Sequence, residues 1–234
     1  MPSQLALGVR LRDSSVFASY FAGRNGTAVE ILQSLQPGST PTCLYLQGPV
    51  ASGKSHLLQA VCAHASLQDH RVAYLSAREI SSMGPQMLAG WGELDLVCID
   101  DIERLAAQRA WNLAMFTLHQ QLEEHRGRLV VASHLAPGAL KMSLADLASR
   151  LAGGLVLTLH ALDETEQVAA LQLRAQLRGF DLPDDTALFL LRRLPRDMTS
   201  LCAFLDELDK ASLAAQRRLT VPFVREVMDR GGSV

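Results

Sequence analysis

Five short apolar runs punctuate the first two thirds of the chain, and residues of helical period separate most of them. The runs are Thr42–Gln47 (TCLYLQ), Arg71–Ser76 (RVAYLS), Leu94–Ile99 (LDLVCI), Arg128–Ser133 (RLVVAS) and Leu155–Leu159 (LVLTL). Their length and their content of Val, Ile, Leu and Tyr predict strands. The third looks covered on both faces. Residues 54–66 and 144–151 read as helices, and over 107–125 Trp111, Met115, Leu118 and Leu122 recur on one stripe at helical spacing. Buried strands separated by helices predict an α/β fold with a five-stranded, mostly parallel sheet covered on both faces.

The two ends of the chain follow other patterns. Residues 1–12 (MPSQLALGVRLR) are short and mixed and predict a flexible arm. Asp13 or Ser14 is placed to cap a short helix through Phe17, Tyr20 and Phe21, and 25–35 reads as a helix ending before Pro37-Gly38. After His160 the strands stop. Residues 163–178, 184–194, 197–216 and 221–229 all read as helices, with Leu201, Leu205 and Leu208 continuing one apolar stripe. Pro183, Pro195 and Pro222 sit near helix starts, where a missing N–H costs little. The expected organisation is an arm over 1–12, an α/β domain over 13–160 and a small all-helical domain over 161–234.

Composition narrows the picture. Of 234 residues, 48% are hydrophobic and 20% charged, enough apolar material for a sizeable core and too much for long-range disorder. Lys plus Arg is 22 against 24 Asp plus Glu, a net charge of -2, which argues against wrapping nucleic acid by bulk electrostatics. Cys43, Cys62, Cys98 and Cys202 form no CxxC pair, so a zinc knuckle or dithiol motif has no support, and a reducing compartment fits. With no basic-then-apolar leader and no long uncharged apolar stretch, the expectation is a soluble, cytosolic protein.

The chemistry concentrates between the first strand and the helix after it. Residues 48–55, GPVASGKS, match GxxxxGK[ST] at Gly48, Gly53, Lys54 and Ser55, with a strand before and a helix after as the mechanism requires. The two glycines let the loop curl so that backbone N–H groups face inward, and the helix directs its positive end at bound phosphates. Lys54 would reach the β and γ phosphates, and the Ser55 hydroxyl would ligate Mg²⁺. The nucleotide-binding set read here is Gly48, Ser52, Gly53, Lys54, Ser55 and His56. The third strand ends in Asp100-Asp101. Asp100 would hold Mg²⁺ through water and Asp101 would orient the attacking water. Ser133, ending the fourth strand in VVASH, would reach the γ phosphate or the water from beneath, while His134 reads as a surface loop residue.

A phosphate loop, a DD strand end, a polar tip on the next strand and a trailing helical lid together resemble the AAA+ ATPases. GPVASGKSHLLQAVC, LVCIDDIERL and DLASRLAGGLVLTL resemble the nucleotide motifs and the arginine-finger segment of the bacterial replication initiator DnaA, which implies the finger role for Arg150. On residue chemistry alone Arg150 is a surface arginine one turn from Asp146. LPRDMTSLCAFLDELDKASLAAQRRLTVPFVREVM is similar to the lid of the DnaA-related regulatory inactivators, the Hda family.

That resemblance implies several further things. Arg196 would sense bound nucleotide, and the segment of Phe17, Tyr20 and Phe21 would lie beside the adenine, although aromatic residues on a short helix are ordinarily core. The initiator's DNA-reading helix-turn-helix and long N-terminal region would have no counterpart. Gln4, Leu5 and Leu7 would form a QLxL peptide that docks on the DNA polymerase III sliding clamp (its beta subunit). The implied cofactors are ADP or ATP with Mg²⁺. The implied partners are DnaA, the clamp and a further copy of the chain, with DNA reached mainly through the clamp. The implied activity, at the replisome of a bacterial cytoplasm, is stimulation of the initiator's ATP hydrolysis, with weak or absent hydrolysis of its own.

Overall fold

In the computed structural model, which describes residues 15–80, 83–195, 197–215 and 219–231, five strands form one sheet in the order β2-β3-β4-β1-β5. They are β1 (Cys43–Gln47), β2 (Val72–Ser76), β3 (Leu96–Asp100), β4 (Arg128–Ser133) and β5 (Leu155–Thr158). Every pairing is parallel, with Gln47 opposite Ser133 and Ser76 opposite Asp100. Parallel neighbours need crossovers, and these are supplied by α2 (Lys54–Ser66), α3 (Arg109–Glu124) and α4 (Ala145–Gly153).

The period of two along each strand sorts side chains into two layers. Tyr45, Val97, Ile99, Leu129 and Val131 pack with Trp111, Met115, Leu118 and Leu122 of α3 and with Leu147 and Leu151 of α4. Leu44, Leu46, Cys98, Val130 and Ala132 pack on the other face with Leu57, Leu58 and Val61 of α2 and with α1 (Gly26–Gln33). All of β3 and β4 is buried, as the continuous apolar runs predict, whereas β5 lies at an edge and is partly exposed. Arg128 is a buried exception. Its guanidinium donates to the Gln36 carbonyl at 3.0 Å, to the Pro41 carbonyl and to the Ser39 hydroxyl, so its donors are met where water is absent.

Two local readings change. The third strand runs from Leu96 to Asp100 rather than from Leu94. Leu94 closes a turn onto the Trp91 carbonyl, and the Asp95 carboxylate takes the Arg71 N–H at 2.7 Å. The expected helix through Phe17, Tyr20 and Phe21 is a single 3-10 turn, Phe17–Ser19, closed when the Ser19 hydroxyl donates to the Val16 carbonyl at 2.9 Å. Tyr20 is already extended. Between β2 and β3 the chain makes two 3-10 turns, Pro85–Leu88 and Trp91–Glu93, whose Leu88 and Trp91 pack against the α3 layer. Their irregular apolar spacing carries no helical or strand period.

The chain divides into two compact units, 1–161 and 162–234. The second contains α5 (Glu164–Leu177), α6 (Asp184–Arg193), α7 (Met198–Ala215) and α8 (Val221–Gly231). They close on one cluster that includes Leu171, Leu190, Leu201, Leu205, Leu208 and Phe223. Asp163 and Glu166 form a reciprocal capping box at 2.9 and 3.0 Å and start α5. Among the described residues no helix is long and apolar enough to cross a membrane.

Candidate functional site

The phosphate-loop residues leave β1 and turn sharply into α2. Ala51 and Gly53 take positive φ, 64° and 88°. A Cβ on Gly53 would lie 2.5 Å from Cε2 of Tyr20, and one on Gly48 would lie 2.8 Å from both the Leu159 carbonyl and the Ser52 hydroxyl. Both glycines are therefore required by the close approach of neighbouring chain, and Gly53 also by its backbone. No side chain caps α2, so its first N–H groups stay available at the positive end of a 13-residue helix. Ser52 Oγ is buried without a hydrogen-bond partner among the described residues. A glycine-walled cradle, an uncapped helix start and an orphaned buried hydroxyl fit a bound phosphate chain.

Lys54 is buried, and its ammonium donates to the Gly48 and Pro49 carbonyls, each at 2.8 Å. Burial lowers its pKa, and Asp100, Glu103 and Asp101, in that order, partly offset the shift. Asp100 is pushed the other way, upward, again chiefly by burial. Its oxygens accept from the Tyr74 hydroxyl at 3.1 Å and the Asp101 N–H at 3.0 Å. The Ser55 hydroxyl is among the neighbours that partly offset that upward shift, and the hard oxygens of Ser55 and Asp100 suit Mg²⁺.

Asp101 leaves the strand with φ 53° and is held by Arg78, whose Nε donates to Oδ2. The carboxylate in turn raises the pKa of Arg78. Arg78 follows β2, which pairs with β3 in register up to Ser76 and Asp100, so the sheet brings the two side chains together. Ser133 is fully buried. Its hydroxyl accepts the Leu135 N–H at 3.0 Å, and the Tyr45 hydroxyl beside it donates to the Leu135 carbonyl at 2.9 Å, so Ser133 is turned toward the α3 layer. His134 instead lies at the rim, with Nδ1 2.7 Å from Glu103 Oε1.

Before α1, the segment 15–25 lies against the loop and α2. The Tyr20 hydroxyl donates to the Ser52 carbonyl at 3.2 Å and accepts from Asn25 Nδ2 at 3.0 Å, and burial pushes the phenol up to about 12. Buried Asn25 also exchanges two bonds with the backbone of His160, at 3.0 and 2.8 Å, tying this segment to the end of β5. His56 Nε2 lies 3.0 Å from the Val16 carbonyl, and its ring tilts against Tyr20. Phe17 packs edge-on against His64, and Phe21 is half-buried.

Arg150, on α4, stands apart from this cluster. Its guanidinium pairs with Glu123 of α3 at 2.8 Å, not with Asp146, and lies over the Phe116 ring. Gln4, Leu5, Leu7 and Arg196 lie outside the described residues. Tyr74 and Arg78 join the site without having been legible in the sequence. Tyr74 lies within β2 and Arg78 just after it, and only the pairing of β2 with β3 places them beside the acids.

A phosphate loop and an acidic strand end gathered on one edge of this parallel sheet, with a helical unit following, define a AAA+ nucleotide-binding protein. The sequence matches the bacterial DnaA ATPase domain over residues 12–158 and the Hda lid domain over residues 163–228. The chain belongs to the DnaA family of AAA+ proteins and carries a lid of the Hda type.

Solved structures agree on the fold. Domain III of the replication initiation protein DnaA from Thermotoga maritima matches with a TM-score of 0.73 at 20% identity, covering 93% of this chain and 97% of that one. AMPPCP-bound DnaA from Aquifex aeolicus gives 0.69 at 19%, covering 89% of this chain and 69% of that one. The RuvB Holliday junction branch migration motor of T. maritima gives 0.63 at 18%, covering 89% and 67%.

Proposed function

We propose that this protein inactivates the replication initiator DnaA by stimulating hydrolysis of initiator-bound ATP. The observation that carries this reading is the union, in one chain, of a DnaA-type ATPase core with an Hda-type lid. Its own site, built on Gly48, Ser52, Gly53, Lys54, Ser55 and His56, holds ADP as a structural ligand, with Ser55 and Asp100 addressing Mg²⁺. The ion, when bound, offsets phosphate charge. Phe17 and Phe21 flank the adenine.

In this reading Arg150 acts on the neighbour's nucleotide. Water attacks the γ phosphorus of the initiator's ATP, the bond to the ADP oxygen breaks, and the guanidinium offsets the charge developing there. An arginine supplied in trans is worth about 10³–10⁵ in rate. Arg150 is partly exposed and, among the described residues, is held by Glu123 and Phe116, contacts that an approaching subunit could displace at modest cost. Gln4, Leu5 and Leu7 tether the chain to a sliding clamp on DNA and raise its local concentration there.

The test is single-turnover hydrolysis of labelled ATP bound to DnaA. This protein is added with ADP, with and without clamp loaded on DNA. Acceleration only when both are present supports the reading, and none with sound controls overturns it.

A second reading, an autonomous ATPase that remodels or recruits another protein, draws on Lys54, Ser55, Asp100 and Asp101 meeting at one edge. The Arg78 bond that occupies Asp101 weighs against it. Steady-state hydrolysis without initiator, at a rate comparable with other AAA+ motors, would favour it.

A further inference from the structure

Glu103 has no part in the nucleotide site as read above, yet it lies beside the ends of β3 and β4. It belongs to the 3-10 turn Ile102–Arg104 that follows the two acids of β3. His134, just past β4, holds its Oε1 at 2.7 Å. From β1, Tyr45 feels its charge, and from the phosphate loop so does Lys54. The Gly48 N–H donates to the Ser133 carbonyl at 3.3 Å, which sews the start of the phosphate loop to the strand tip that carries His134.

The carboxylate is only half satisfied. Its side chain is 14% exposed and its Oε2 is buried with no hydrogen-bond partner among the described residues. The other acids at this edge are better compensated. Asp101 has Arg78, and Asp100 has two donors. Because a carboxylate can only accept, His134 Nδ1 carries the proton in the pair, which fixes the ring. Glu103 thus brings a carboxylate with one buried, unbonded oxygen to the Lys54 end of the loop. In a phosphate loop of this type that lysine addresses the β and γ phosphates.

We infer that Glu103 is a specificity-determining residue: its carboxylate, held by His134 over the end of the phosphate loop, disfavours a third phosphate and makes the site select a nucleoside diphosphate. The inference rests on the reading of the loop as an adenine-nucleotide site. A diphosphate ends short of Glu103 and escapes most of the repulsion, whereas a triphosphate places further negative charge against it.

Calorimetric titration of the full chain tests this. The probes are MgADP and the Mg²⁺ complex of an ATP analogue with a methylene β–γ bridge. Glu103→Gln removes the charge and keeps an oxygen for His134. It is expected to tighten the analogue about tenfold and leave ADP within about twofold. Glu103→Ala is expected to shift the ratio in the same direction. His134→Ala removes the partner but leaves the charge, and is expected to weaken the analogue relative to ADP. Opposite signs for the two positions are what a merely structural pair would not give. A Glu103→Gln variant whose two affinities move together, or whose ratio is unchanged, overturns the inference while leaving the nucleotide site intact. Wild-type protein that binds neither probe overturns the phosphate-loop reading itself, and this inference with it.

Discussion

Lys54 and Asp100 occupy one desolvated corner and are pushed toward neutrality from opposite sides, Lys54 downward and Asp100 upward from a usual value of 3.8. For an acid with a raised folded-state pKa, the favourable contribution is complete below the unfolded value and is lost as pH rises through the folded one. Ionised Asp100 therefore costs stability at neutral pH, as a group retained for function does. Asp100→Asn keeps an acceptor for Tyr74 and is expected to raise the urea midpoint at pH 7. It should also flatten the decline in stability above about pH 4. Urea titrations between pH 4 and 8 check this, and a lower midpoint at pH 7 would contradict it.

Arg150 gives the opposite case at the same scale. Its pair with Glu123 is 40% and 53% exposed, so breaking it should cost under about 1 kcal/mol. Arg150→Ala is expected to keep its melting temperature and ADP affinity and to lose initiator-stimulated hydrolysis by about 10³-fold or more. Loss of ADP binding in that variant would place Arg150 in the wrong site.

At the scale of elements, the phosphate loop shows how a short motif depends on a neighbour outside it. Gly53 is required by its φ of 88° and by Tyr20, which lies where a Cβ would go. Gly53→Ala is expected to destabilise the α/β unit by about 1–2 kcal/mol from the left-handed backbone alone, and by more if Tyr20 cannot shift. It should also loosen the Tyr20 bond to Ser52. Chemical denaturation gives the first quantity, and a rise in segment 15–25 amide exchange reports the second. The strands were legible to within a residue or two because their apolar runs are local. The turns between β2 and β3 were not, since 3-10 segments that pack by single residues such as Leu88 leave no period to read.

The molecule as a whole holds two sets of cores: two layers around the sheet, and one cluster shared by α5 to α8. Leu205 is completely buried in the latter. Leu205→Ala is expected to cost about 2–5 kcal/mol, a large share of what a small helical unit has. Limited proteolysis should then cleave first within 162–234 while the sheet unit stays protected. Uniform cleavage across both units would show that they unfold as one.

What could be read along the chain was whatever depends on near neighbours in sequence. GPVASGKS carries its own glycines, lysine and serine. The period of two separates the sheet's layers, and the leucine stripe of α7 marks the buried face of the lid. Tertiary structure alone decided which polar groups meet. Tyr74 reaches Asp100, Arg78 reaches Asp101 and His134 reaches Glu103 across separations of 26, 23 and 31 residues. Those partners are set by strand order and register, which no local pattern encodes. The same register turned Ser133 inward with Leu129 and Val131, leaving the rim of β4 to its neighbour His134.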